Sequence, residues 1–299
     1  MTQVLPSSSQ TSSSRTFSSS KSSSSRSASR APGRVLLYLS ITLAAFITLL
    51  PVLWMVGASV RPEGNILSHP SDLIPTHWTL THYHDIFSAI PFLRELRSTV
   101  IFAGGVTVFS LLFDSMTAYA LARLEFPGRR LFFVMILLFL MVPPQITLIP
   151  VYQMVAHLGL VNTYPGMIIP RATNAFGIFF LRQFFIGLPD DLSQAARIDG
   201  AGEFRIYWSI VMPLARPALL TLGLFHFMYN WNDLLWPLII TTDNNMATLP
   251  AGLAQFAGTH VVEYGLLMAG ATMAMLPMLL AFIAVQRKFI QGIATTGIK

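Results

Sequence analysis

Long uncharged apolar runs alternate with short polar segments along this chain, and the lengths of the runs decide its class. Val35–Val60 carries no charge and is bounded by Arg34 and Arg61. A helix needs about 20 largely apolar residues to cross a bilayer, so this run predicts a first span. Ser98–Ala122 predicts a second, with one internal charge, Asp114. Between Arg130 and Arg171 there is no Lys, Arg, Asp or Glu. At about 1.5 Å per residue that stretch is too long for a single span. Pro143, Pro144 and Pro150 mark where it leaves helix geometry, which gives Leu131–Pro150 as the third span and Tyr164–Ile186 as the fourth. Pro217–Thr241 and Tyr264–Gln286 are the fifth and sixth. The expected organisation is a tail at 1–34, a first helix at 35–60, an external loop at 61–97, a core at 98–286 that contains a polar connection at 188–213, and a second tail at 287–299.

Composition agrees with an all-α membrane protein. Charged residues make up 11% of the chain, against about a quarter in soluble domains. The absence of cysteine excludes a disulfide framework, thiolate metal sites and cysteine nucleophiles. The net charge of +6 would ordinarily raise nucleic acid as a partner, but the basic residues have another logic. With both termini in the cytoplasm, 15 of the 19 Lys and Arg fall on the inner side, and only Arg61, Arg94, Arg97 and Arg171 remain outside. The positive-inside rule therefore orients this multi-pass chain and removes the need for a nucleic-acid partner.

The N-terminal segment holds 15 serines within residues 7–29 and no acid before Glu63, so it predicts a disordered cytoplasmic extension. Its composition also resembles organelle transit peptides. His69, His77, His82 and His84 in the external loop lack metal-ligand spacing and read as solvated loop residues, so no metal is expected. No phosphate-cradling GxxxxGK[ST] loop, HExxH or GxSxG occurs. The adjacent pair Asp190–Asp191 reads as a helix N-cap. No catalytic constellation emerges, and none of these features makes the chain an enzyme.

The connection Leu188–Pro213 reads as two short helices at the cytoplasmic surface. Pro189 and an aspartate start the first, which places Leu192, Ala195, Ala196 and Asp199 on one smooth face. Gly200 and Gly202 stop it and permit a corner. Phe204, Tyr207, Trp208 and Val211 form an apolar face on the second, which Pro213 ends.

Here the sequence resembles a known family. Glu-Ala-Ala, three residues, Gly, nine residues, Ile, one residue, Leu-Pro marks permease subunits of ATP-binding-cassette (ABC) importers. Ala195, Ala196, Gly200, Ile210 and Pro213 stand in register, while Gln194 replaces the glutamate and Met212 the leucine. Ala118–Gly128, Ala195–Ala201, Trp231-Asn232 and the ending Gln286–Gly292 resemble the sugar-importer branch of maltose-permease type. The resemblance covers roughly residues 35–299 and implies a type I importer permease fold with six transmembrane helices and a coupling-helix elbow, set in a bacterial-type inner (plasma) membrane. It implies a homologous second permease, two cytoplasmic ATPase subunits that bind ATP and Mg, an external solute-binding protein and surrounding lipid, with no cofactor in this chain. It implies that Gln194, Ala195, Ala196, Asp199, Gly200, Ile210 and Pro213 couple to an ATPase and that Arg287 and Lys288 begin a tail reaching the ATPases. The loop Asp243–Glu263 resembles one that probes the binding protein.

Polar groups inside a membrane are costly and often functional. The fifth span carries His226, Asn230, Asn232 and Asp233 among aromatics. Asn230, Trp231, Asn232, Asp233 and Phe225 are candidate pathway residues, because rings stack on sugar CH faces and amides bond hydroxyls; helix–helix hydrogen bonding is the competing reading. Asp114 reads as an interhelical hydrogen-bonding partner. Arg171 reads either as a side chain snorkelling to the interface or as a cation for an anionic substrate such as a sugar or glycerol phosphate. The competing functions are an ABC permease for another solute (glycerol phosphate, amino acid or peptide), a self-contained secondary transporter and a membrane enzyme.

Overall fold

The computed structural model describes residues 31–69, 72, 77–242, 246–258 and 262–296, with side chains described between 34 and 286. The serine-rich segment and the side chains of Arg287 and Lys288 lie outside that description. The described residues form helices and no strand. The chain divides into two units, residues 1–51 and 52–299. The helix α1 (Ala31–Ser59) begins in the first unit, where apolar side chains such as Leu39 and Phe46 are exposed. Two short helices, α2 (Glu63–Ser68) and α3 (Thr81–Ala89), follow in the second.

Three helices are long and apolar enough to cross a membrane without interruption: Arg34–Ser59, Phe92–Arg123 and Tyr264–Gln286. They match the first, second and sixth spans, although the second helix, α4 (Phe92–Arg123), begins six residues before the expected Ser98. The other three expected spans are each interrupted in the structure. The third is α5 (Arg129–Leu140) and α6 (Pro144–His157), which meet at 103°. Pro150 remains inside α6, and the bend sits at Met141–Pro143, where Pro144 forces Pro143 into an extended conformation. The fourth is α7 (Tyr164–Ile168), a single 3-10 turn, and α8 (Ala175–Ile186), with a break at 172–174. The fifth runs as α12 (Arg216–Trp231), breaks at 232–234 and resumes as α13 (Leu235–Ile240).

Helix α4 is the central element, packed against α8, α12 and the short α14 (Leu249–Ala254), and α12 packs in turn on the last helix, α15 (Tyr264–Thr296). Lipid tails are as apolar as leucine, so close packing and interhelical hydrogen bonds hold such helices together. Small residues permit the approach: a Cβ on Gly105 would lie 2.6 Å from Ile168 Cδ1. Ser110 Oγ donates to the Arg171 carbonyl at 3.0 Å, and Ser115 Oγ lies 2.8 Å from the Tyr207 hydroxyl. At the end remote from 188–213, the Glu63 carboxylate accepts from the Tyr264 and Gly265 amides, both at 2.7 Å. A carboxylate there satisfies two of the four unpaired N–H groups that open every helix.

Candidate functional site

Two sites emerge from these elements, an elbow and a concavity. The elbow begins with α9 (Asp191–Ile198). Gly200 adopts φ +81°, its amide donates to the Arg197 carbonyl at 3.0 Å, and the Ala201 amide donates back to Ala196 at 2.9 Å. This pair of bonds is a Schellman motif, which requires a residue in the left-handed region and so favours glycine. Gly202, in contrast, is extended (φ −72°, ψ 161°) and opens α10 (Glu203–Ile206) in a conformation open to any residue. Asp190 does not cap α9; it pairs with Arg123, whose guanidinium also donates to the carbonyls of Phe185 and Leu188. Arg123 thus closes the C-terminus of α8 and anchors the start of the elbow.

The second arm differs from a plain helix. Tyr207–Val211 forms a π-helical turn, followed by α11 (Met212–Leu214). Extra residues per turn rotate the side chains, so the expected apolar face splits. Ile206, Tyr207 and Val211 are buried in a cluster with Tyr119, Leu181 and Phe185. Phe204 and Trp208 are exposed, as are Leu192 and Ile198, the last at 87%. Gln194, Ala195, Asp199 and Pro213 are exposed too, whereas Ala196 and Ile210 are half-buried.

Glu203 clamps the corner. Its carboxylate accepts from Arg197 Nε at 2.8 Å and from the Tyr119 hydroxyl at 2.7 Å. The Arg197 hydrogen bond, then the Tyr119 one, hold the Glu203 pKa below the ordinary 4.5. A depressed carboxylate stabilises the fold fully above its unfolded value, and that contribution fades as pH falls below 4.5. The clamp is therefore intact at neutral pH and lost in acid. Glu203 is 41% exposed, so water screens the pair. Glu203→Gln is expected to cost no more than about 1 kcal/mol of global stability. It is expected to speed amide exchange across 197–206 several-fold at neutral pH, and unchanged exchange would show that the clamp carries no restraint.

The concavity forms where the three helix breaks meet. Backbone that leaves helix geometry at membrane depth must be buried in protein or line a water-filled cavity. Val142, Thr173, Asn174, Asn232 and Asp233, all from the breaks, line a wide concavity of about 1340 Å³. A chamber of about 170 Å³, bounded by Arg171, Asn174, His226, Tyr229, Asn230 and Trp236, shares part of this wall.

Asp114 fixes the break in the fourth span. It is fully buried; its Oδ1 accepts from the Thr173 hydroxyl at 2.7 Å and the Asn174 amide at 2.8 Å, and its Oδ2 lies 3.2 Å from His226 Nε2. One carboxylate so ties three spans, which makes it the interhelical partner that its sequence position suggests. Gly177 clears the space: a Cβ there would lie 2.0 Å from Asp114 Oδ2. Arg171 neither snorkels nor stands free. Its Nη2 lies 2.6 Å from Asp233 Oδ2, and its guanidinium is 5.9 Å from the ring centres of both Tyr229 and Trp236.

Of the candidate pathway residues, Asn230 lines the chamber, and Phe225, Asn232 and Asp233 line the concavity. Trp231 lines neither; it is buried and packs its ring 5.3 Å from that of Phe227. Sequence reasoning missed the anchoring by Arg123 and the pairing of Arg171 with Asp233. Both join distant segments, and the visible signal was only a charge beside an apolar run.

A family model described as "Binding-protein-dependent transport system inner membrane component" matches residues 114–295. The arabinooligosaccharides transport system permease protein AraQ of Halalkalibacterium halodurans is 38% identical over 267 residues, 88% of this chain and 96% of that protein. The diacetylchitobiose uptake system permease protein NgcG of Streptomyces coelicolor is 35% identical over 255 residues, 84% of each. Among solved structures, a chain of a bacterial ABC transporter involved in import of the acidic polysaccharide alginate aligns with a TM-score of 0.74, covering 88% of this chain and 98% of that one at 23% identity.

Proposed function

This chain belongs to the family of binding-protein-dependent transport system inner membrane components, and from that premise we propose that it is the permease of an ATP-driven importer for a sugar or sugar derivative. The observation that carries the reading is the concavity. Three interrupted spans turn their breaks to one wall of about 1340 Å³, a wall that suits half of a translocation pathway. A homologous second permease supplies the other half, and an external binding protein delivers the solute.

The elbow suits a second task. Its hinge is fixed by the Schellman turn and by Arg123, while Leu192, Ile198, Phe204 and Trp208 stand exposed around it. A rigid projection with an apolar tip fits a cleft in a cytoplasmic ATPase subunit, two of which bind ATP and Mg. Gln194, Ala195, Ala196, Asp199, Gly200, Ile210 and Pro213 then couple ATP-driven closure to the permease, a ligand-biased transition between two rigid-body states. Both termini lie in the cytoplasm, where the tail from Arg287 and Lys288 adds a further ATPase contact. The distribution of Lys and Arg supports this orientation.

Purification of the tagged chain in mild detergent, followed by mass spectrometry, tests the reading. A second permease and an ATPase with a Walker loop are expected to accompany it. A chain that came out alone and still moved solute in liposomes would be a self-contained transporter instead.

A further inference from the structure

We propose that the small chamber is a sugar-ring subsite belonging to this subunit, and that the ion pair between Arg171 in its wall and Asp233 in the wall of the concavity makes it select neutral over anionic rings. The inference rests on the permease reading above and gives that pathway a substrate class. Its first support is size. Pockets for drug-sized ligands begin near about 300 Å³, so a chamber of about 170 Å³ admits one small ring at a time.

The second support is the wall. Tyr229 is exposed and supplies aromatic surface to the chamber, against which the CH face of a ring can stack, while the buried Trp236 closes the wall. Asn230 is 3% exposed; its Nδ2 is engaged with the His226 carbonyl at 2.8 Å, while its Oδ1 has no hydrogen-bond partner among the described residues. A buried amide oxygen without a partner costs about 1–3 kcal/mol unless something donates to it, and a sugar hydroxyl that enters the chamber does so.

The third support is charge. Arg171 and Asp233 are the only Asp, Glu, Lys or Arg among the described residues lining the chamber and the concavity, and they neutralise each other across 2.6 Å. They are only 21% and 12% exposed, so each depends on the other more than on water. An anion entering the chamber leaves water for a wall whose single cation is already engaged, with a carboxylate beside it. That loss of solvation has no compensating partner. A neutral ring exchanges water hydrogen bonds for Asn230 Oδ1 and gives up no charge solvation.

The test uses the purified complex with its partner subunits in nanodiscs, without binding protein. D-Glucose and D-glucuronate are the probes, because they share a ring and differ by a hydroxymethyl group against a carboxylate. Dissociation constants come from saturation-transfer NMR titrations. The wild-type complex is expected to prefer glucose. Asp233→Asn frees Arg171 to make a charge-assisted hydrogen bond and is expected to improve glucuronate binding about tenfold relative to glucose. Arg171→Gln leaves Asp233 as a lone anion and is expected to move the ratio the other way, so the two near-isosteric variants check each other should one fold poorly. Asn230→Ala is expected to weaken glucose about tenfold. An assembled complex whose selectivity ignores both charge variants, or whose glucose binding ignores Asn230, overturns the subsite and leaves the permease reading standing. A chain that assembles with neither a second permease nor an ATPase removes both.

Discussion

Gly177→Ala is expected to lower the stability of the detergent-solubilised protein by about 3 kcal/mol and to abolish transport. The methyl group has nowhere to go. It would stand 2.0 Å from Asp114 Oδ2 and 2.9 Å from His226 Nε2, and neither is the loose end of a long side chain, since Asp114 is held by Thr173 and Asn174. Either α8 retreats from α4, or the carboxylate turns away and gives up its bonds to the Thr173 hydroxyl and the Asn174 amide, which fix the break at 172–174. Asp114→Ala attacks the same junction from the other side. The two changes are therefore expected to be strongly non-additive, with the second costing much less in the background of the first. Thermal melting of the two single variants and the double variant measures this. Additive losses would show that Gly177 and Asp114 act separately.

Gly200→Leu is expected to leave the protein folded in the membrane and to uncouple it, with uptake lost and the stimulation of ATP hydrolysis by loaded binding protein gone. Nothing lies within 4 Å of a Cβ at this position, so the damage is not a clash. It comes from φ +81°, where an L residue costs about 1–2 kcal/mol and the Schellman bonds become the easiest thing to give up. The corner would open, and the exposed tip of the elbow would swing away from its seat. Gly200→Asn separates conformation from bulk, because asparagine tolerates the left-handed region; it should retain a substantial part of the uptake that leucine loses. Normal uptake by the leucine variant at normal expression would remove the coupling role from the elbow.

These residues differ in how far the sequence announced them. Gly200 was legible, because a helix stop is local chemistry: the turn, its two hydrogen bonds and its glycine all fall within a few residues. The first, second and sixth spans were legible for the same reason, since an uncharged run is a property of the segment itself. The break at 141–143 was half legible. The prolines announced it, but Pro150 competed for the role, and a helix can keep an internal proline where Pro143-Pro144 cannot be helical at its first residue. The break at 172–174 was not legible, because Asp114 on another helix supplies the bonds that stabilise it. The π turn at 207–211 was hidden likewise. Its sequence reads as an ordinary amphipathic face, and only packing against Tyr119 and Phe185 reveals which half of that face the core takes.

The three breaks carry one more consequence, in the currency of dipoles. Each interruption ends one helical segment and begins another: α5 before α6, the turn at 169–171 before α8, and α12 before α13. A segment that ends turns carbonyl oxygens and partial negative charge toward the gap, and one that begins turns amide hydrogens and partial positive charge toward it. Paired at every break, the two signs largely cancel at a distance, and side chains already take opening amides at two of the breaks: Asp114 that of Asn174, Asn174 that of Phe176 and Asp233 that of Trp236. Such a wall draws neither cations nor anions from afar, which leaves a neutral solute at no disadvantage against a charged one.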